Sequence, residues 1–100
     1  MNTQEIDRQA GEKYGIEPQR KMAIEEMAEL TNALMKQDRG RNTEADVIEE
    51  IADVTIMMQQ LAIIYGPSAV QEQIEYKTQR LALRLKKHSL FTKEIIDSFK

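Results

Sequence analysis

Residues that break helices are confined to three places in this chain, and that confinement limits its possible folds more than any other feature. Its 100 residues include only four glycines and two prolines. Apart from Gly11, these fall between Gly15 and Pro18, between Asp38 and Asn42, and at Gly66 and Pro67. Elsewhere apolar side chains recur at helical spacing, which favours long helices over turn-rich sheets. A first helix is expected over Thr3 to Tyr14, with a narrow stripe of Ile6, Ala10 and Tyr14. A second spans Gln19 to Gln37, with Pro18 in its first turn and Gly40 just past its end. A third runs from Thr43 or Glu44 to Tyr65, with Thr43 or Asn42 as its N-cap and acids in its first turn. A fourth starts at Ser68, with Gln71 completing a capping box, and continues to Lys87 with Val70, Ile74, Leu81 and Leu85 facing inward. The tail Ser89 to Lys100 keeps Leu90, Phe91, Ile95, Ile96 and Phe99 and is expected to form a short packed helix. The expectation is one all-α domain over residues 1–100, a four-helix bundle with a short C-terminal helix.

A hundred residues bury only about 60 to 65 percent of the surface their unfolded chain exposes, so a lone copy has a thin core. Beyond Ile51 the third helix is apolar on most sides, and a homodimer or dimer of dimers is expected to complete the fold. There is no cysteine, hence no disulfide, no zinc-thiolate site and no thiol nucleophile, and a reducing cytoplasmic setting fits. The polar first residues do not resemble an export signal. The most apolar stretch, Ile51 to Tyr65, is shorter than the ~20 residues of a membrane span and is interrupted by Asp53, Gln59 and Gln60. A net charge of −3 argues against general nucleic-acid binding.

The chemistry lies in two segments, IEEMAEL on the second helix and VIEEIADV on the third. Each places two acids three residues apart, Glu26 with Glu29 and Glu50 with Asp53, on one face and close enough to share a hard cation. Most helical acids simply face water. Two features set these apart. No Lys or Arg occurs from Met22 through Met35 or from Asn42 through Tyr76, although basic partners normally relieve like charges at this spacing. The acids also interrupt apolar stripes: Glu26 and Glu29 share a sector with Met22, Leu30 and Ala33, and Glu50 and Asp53 with Val47, Val54, Met57 and Leu61. A carboxylate inside an apolar face is protonated, paired or bound to metal, and four together point to Mg2+ or Mn2+. Glu25 and Glu49 project to the side, as supporting or ordinary surface acids.

These motifs resemble the MazG-like branch of the all-alpha nucleoside triphosphate pyrophosphohydrolases. That family carries two adjacent Glu with a third three residues on, then a Glu and an Asp three apart on the next helix, matched here by Glu25, Glu26, Glu29, Glu50 and Asp53. KYGIEPQRKMAIEEMAEL is similar to its opening helix, and the likeness covers Tyr14 to Lys87. The resemblance implies metal-dependent cleavage between the α and β phosphates of a nucleoside triphosphate, with Glu26, Glu29, Glu50 and Asp53 as ligands. A cation held there would neutralise phosphate oxygens and activate the attacking water. VTIMMQQL lacks the aromatic residue that some members place one turn after the Asp, which leaves the base undefined.

Basic groups for the phosphates are expected from Lys77, Arg80 and Arg84 on one face of the fourth helix, although ion pairing with surface acids explains them equally well. Lys36, Arg39 and Arg41 are weaker candidates. Gln19 and Tyr14 are candidates for contacting the base, against a structural role for each. His88 reads as an exposed side chain near a helix end, and Met27, Met35, Met57 and Met58 fall at core spacing. A di-iron bundle needs Glu-x-x-His on two helices, which one histidine cannot supply. The main competing class is a non-enzymatic helical interaction or metal-binding module.

Overall fold

The computed structural model describes residues 1–98, the side chain of Phe91 excepted, and every regular element among them is a helix: α1 (Thr3–Tyr14), α2 (Ile16–Asp38), α3 (Glu44–Tyr65) and α4 (Pro67–Ser98). Phe99, expected in the tail helix, lies outside the described residues. The chain divides into two compact units, Met1–Pro67 and the part from Ser68 onward.

In the first unit α2 and α3 pack along one another and α1 lies against both, chiefly α3. Gly15 joins α1 to α2 at φ 86°, a conformation that glycine adopts without strain, and its N–H closes on the Gly11 carbonyl at 2.9 Å. α2 therefore begins at Ile16, earlier than expected, and Pro18 sits in its first turn, where a missing N–H costs nothing. Thr43 caps α3: its N–H (2.9 Å) and hydroxyl (3.1 Å) both donate to Asp46 Oδ2.

The contact pairs show α2 and α3 running antiparallel. Gln19 meets Gln60 near one end, Glu26 lies near Glu50 in the middle, and Asn42 reaches Ala33 near the connection. The core is small, as expected for this length. Its buried apolar side chains are Ala23, Ala33, Val47 and Met57. Two of the four are alanines of α2, whose small side chains let the helices approach closely. The methionine reading holds for Met57 alone, since Met27, Met35 and Met58 are exposed.

α1 departs from its expected face. Ile6 and Tyr14 are about half exposed, while Asp7 is buried and Ala10 and Gly11 are half-buried. The inward face is thus rotated by one position, because Gln60 of α3 offers Asp7 a hydrogen-bond partner and Gly11 leaves room for the amide of Gln19. A methyl group added at Gly11 would lie 3.4 Å from Gln19 Oε1.

The described residues of the second unit all belong to α4, a single helix of 32 residues, about 48 Å long at the ordinary rise per residue. Two expectations fail here. The helix starts at Pro67, so Ser68 lies inside it and does not cap it, and the Gln71 amide donates to Glu75 (3.4 Å) instead of closing a capping box. The tail is also not a separate helix. Nothing from Ser68 to Ser98 forces a break, and Thr92 is accommodated by donating its hydroxyl to the His88 carbonyl at 2.9 Å. Ile74, Leu81 and Leu85, expected to face inward, are exposed, and Val70 is half-buried. No helix among the described residues is long and apolar enough to cross a membrane.

Candidate metal centre

Antiparallel packing of α2 on α3 brings together acids that lie about twenty residues apart in sequence. Carboxylate oxygens of Glu26, Glu29 and Glu50 lie within 4.8 Å of one another, a spacing that could hold a metal ion. All the donors are carboxylate oxygens, the hard ligands that suit a hard divalent cation. Glu26 and Glu50 are half-buried, and one oxygen of each, Oε2 in both, is buried without a hydrogen-bond partner. Glu29, the third member, is exposed. No basic residue forms an ion pair with any of them among the described residues. The donor set and the orphaned oxygens together fit a bound cation.

The electrostatics reflect this uncompensated charge. The Glu26 carboxyl is raised above its ordinary value of 4.5, first by loss of solvent and then by the charges of Glu29, Asp53 and Glu50. Glu50 is raised for the same leading reason, followed by Glu29, Asp53 and Glu49. In both cases the closeness of the Glu29 carboxyl also favours the protonated form. Asp53, expected as the fourth ligand, stands outside the group of three and yet near enough for its charge to act on both glutamates. Of the flanking acids, Glu49 is exposed, lines the neighbouring cleft and adds to the field at Glu50, whereas Glu25 is an exposed acid of α2.

The other candidates are more scattered. Gln19 is only 1% exposed and donates Nε2 to Gln60 Oε1 at 2.9 Å, so its amide serves the helix packing. Tyr14 is exposed, with the Lys13 ammonium 5.3 Å from its ring centre. Lys77, Arg80 and Arg84 belong to the second unit, where Arg80 lies over the Tyr76 ring at 5.9 Å. His88 is exposed, as expected, but lies inside α4 and not near a helix end.

Two features escaped the sequence reading. One is the polar line through Asp7, Gln60 and Gln19, in which Gln60 Nε2 donates to Asp7 Oδ1 at 3.3 Å. Its available signal was Asp7 placed one helical turn before Gly11. The other is a cleft beside the carboxylates, lined by Lys36 and Arg41 among others, which the glycine between these two basic residues foreshadows. Compared with protein-family models, curated proteins and solved structures, the chain matches none of them.

Proposed function

We propose that this chain is a metal-dependent nucleotide pyrophosphohydrolase of the MazG-like kind, cleaving a nucleoside triphosphate between its α and β phosphates to give a monophosphate and pyrophosphate. The observation that carries the reading is the convergence of Glu26, Glu29 and Glu50 within 4.8 Å, with two buried carboxylate oxygens lacking any donor. Their order along the chain, with Asp53 following Glu50, supports the same reaction through the resemblance described above. A bound Mg2+, or Mn2+ in its place, supplies charge neutralisation at the phosphate oxygens and acidifies the attacking water. The chain supplies the rest. Glu26, Glu29 and Glu50 hold the cation, Asp53 adds the charge that draws it in, and a carboxylate left free orients the water in line with the leaving pyrophosphate.

The reading also includes a second copy of the chain. Ile48, Ile51 and Ile56 of α3 are roughly half exposed or more, and burial against a partner would remove this apolar surface from water. Mass measured in solution at micromolar concentration is expected to be that of a dimer or a dimer of dimers, in keeping with a cytoplasmic enzyme. A stable monomer would refute that part.

The function itself is tested by following pyrophosphate release across a panel of ribo- and deoxynucleoside triphosphates with Mg2+. EDTA, Glu29→Gln and Asp53→Asn are each expected to abolish release while the helical circular-dichroism signal survives. Silence of the wild-type protein across the whole panel would sink the enzyme reading and leave the metal-binding module.

A further inference from the structure

Glu29 and Glu50 open onto a cleft of about 410 Å³ between the C-terminal end of α2 and the start of α3. Its lining joins four acids, Glu29, Asp46, Glu49 and Glu50, to two basic residues, Lys36 and Arg41. The turn that follows α2 fixes these two in place. Gly40 adopts φ 68°, its N–H donates to the Gln37 carbonyl at 2.9 Å, and the Arg41 N–H donates to the Lys36 carbonyl at 2.9 Å. This double closure is the Schellman arrangement, and it ties the backbones of the two basic residues directly together. Asn42 then fastens the turn to α2, donating Nδ2 to the Ala33 carbonyl at 2.9 Å.

Neither Lys36 nor Arg41 forms an ion pair among the described residues, although the Lys36 charge helps hold the Asp46 carboxyl below its ordinary value. Ala33 is the sole apolar residue of the lining, which contains no aromatic ring. Such a surface has nothing on which a base could stack. It suits an anion that can bind a cation at one end and basic groups at the other.

We infer that Lys36 and Arg41 bind the β and γ phosphates, the part of the substrate that leaves as pyrophosphate, and that this cleft reads the polyphosphate tail and not the base. The inference rests on the proposed function insofar as Glu26, Glu29 and Glu50 hold a divalent cation. Without that cation the cleft acids would repel the tail. With it, the α phosphate lies at the carboxylates, and the remaining phosphates extend into the cleft. There Arg41 offers a planar fork of donors and Lys36 a point charge.

The test uses inorganic pyrophosphate as probe, titrated calorimetrically into the full-length protein with saturating Mg2+. Lys36→Gln and Arg41→Gln are each expected to weaken binding roughly tenfold, the usual scale for a hydrogen bond to a charged group. The double variant should lose both factors. Non-hydrolysable α,β-imido triphosphates of different bases should lose affinity by the same factor as pyrophosphate. Mn2+ binding, read by electron paramagnetic resonance, should be unchanged in both variants, as should the helical signal. If Mn2+ binds but pyrophosphate does not, or binds equally well to the double variant, the inference falls and the metal centre stands. A loss confined to the nucleotides would also overturn it, because the two residues would then contact the sugar or the α phosphate. If pyrophosphate binding depends on Lys36 and Arg41 yet no triphosphate is turned over, the tail site stands and the hydrolase reading falls. Failure of Mn2+ to bind the wild-type protein would overturn both.

Discussion

Two polar places interrupt the apolar packing of α1, α2 and α3, and they have opposite chemistry. Near one end, Asp7 is buried and its partner is an amide: Gln60 donates to it, and Gln19 in turn donates to Gln60. Midway along α2 and α3, Glu26 and Glu50 are half-buried among further acids, and each has an oxygen with no donor. The Asp7 line leaves one neutral acceptor unmatched, Gln19 Oε1, whereas the central group leaves ionisable oxygens unmatched. A chain able to supply amides to one buried acid supplies none to the other group. That difference sets a place that its own amides satisfy apart from one that could hold a metal ion.

Glutamine substitutions break this comparison most sharply. On the proposed function, Glu50→Gln should lower pyrophosphate release by roughly a hundredfold to a thousandfold, the scale seen when one preorganised charge-stabilising group is removed. It should also raise the melting temperature of the metal-free protein, because it removes a like charge from a crowded group. At the other place the expectation is reversed. Gln60→Leu removes the donor to a buried carboxylate and should cost about 1 to 3 kcal/mol of stability, a drop in melting temperature of about 4 to 8 °C per kcal/mol for a domain of this size. The increase in melting temperature on adding Mg2+ should be unaffected. Thermal unfolding of both variants with and without Mg2+ checks the pair, and a Gln60→Leu protein that no longer responds to Mg2+ would merge the two places into one.

Sequence patterns disclosed the central group because its evidence is local to each helix: acids three apart, inside an apolar sector, with no Lys or Arg nearby. The Asp7 line was not legible in this way, since its members come from three helices and each is an ordinary surface residue by type. Helix ends at Gly15, Gly40 and Gly66 were readable from glycine's tolerance of positive φ. The continuity of α4 was not, because Ser89 and Thr92 look like loop residues until the Thr92 hydroxyl finds the His88 carbonyl. Lys77, Arg80 and Arg84 appeared the stronger basic candidates because they form a regular face. Lys36 and Arg41 are brought together by a turn, and a turn leaves no periodicity.

Acidity provides a subtler discriminator. Glu26 and Glu50 are raised from 4.5 in the folded protein, so the fold binds their protons more tightly than the unfolded chain does. Their contribution to stability is fully present below pH 4.5 and is lost as pH rises through the raised folded values. In EDTA, this part of the melting-temperature profile should fall as pH increases, and Mg2+ should restore stability at neutral pH. A cation at about a hundred times its dissociation constant adds about 2.7 kcal/mol. Subtracting the profile of a Glu26→Gln, Glu50→Gln double variant isolates the effect, and identical profiles would mean that the two acids do not sense one another's burial and charge.

The smallest effect is expected from Asp46, which lies four residues before Glu50 on the same helix and is shifted in the opposite direction. Its carboxyl is held below 3.8 first by the Thr43 N–H, then by the Thr43 hydroxyl, with a smaller contribution from the Lys36 charge. A lowered carboxylate contributes stability that is present above pH 3.8 and is lost as pH falls through its folded value. Thr43→Ala keeps the N–H and deletes the hydroxyl, so it should cost about 1 kcal/mol, the usual value of an N-cap, while leaving part of the Asp46 shift in place. The cost should be constant near neutral pH and shrink in acid, once Asp46 is protonated in both proteins. Acids on one helix would then respond to pH with opposite signs: Asp46 stabilising as an anion because donors surround it, Glu50 as a neutral acid because it is shielded from solvent and has other acids around it. A Thr43→Ala protein whose deficit grew in acid would show that the cap does not act through the Asp46 carboxylate.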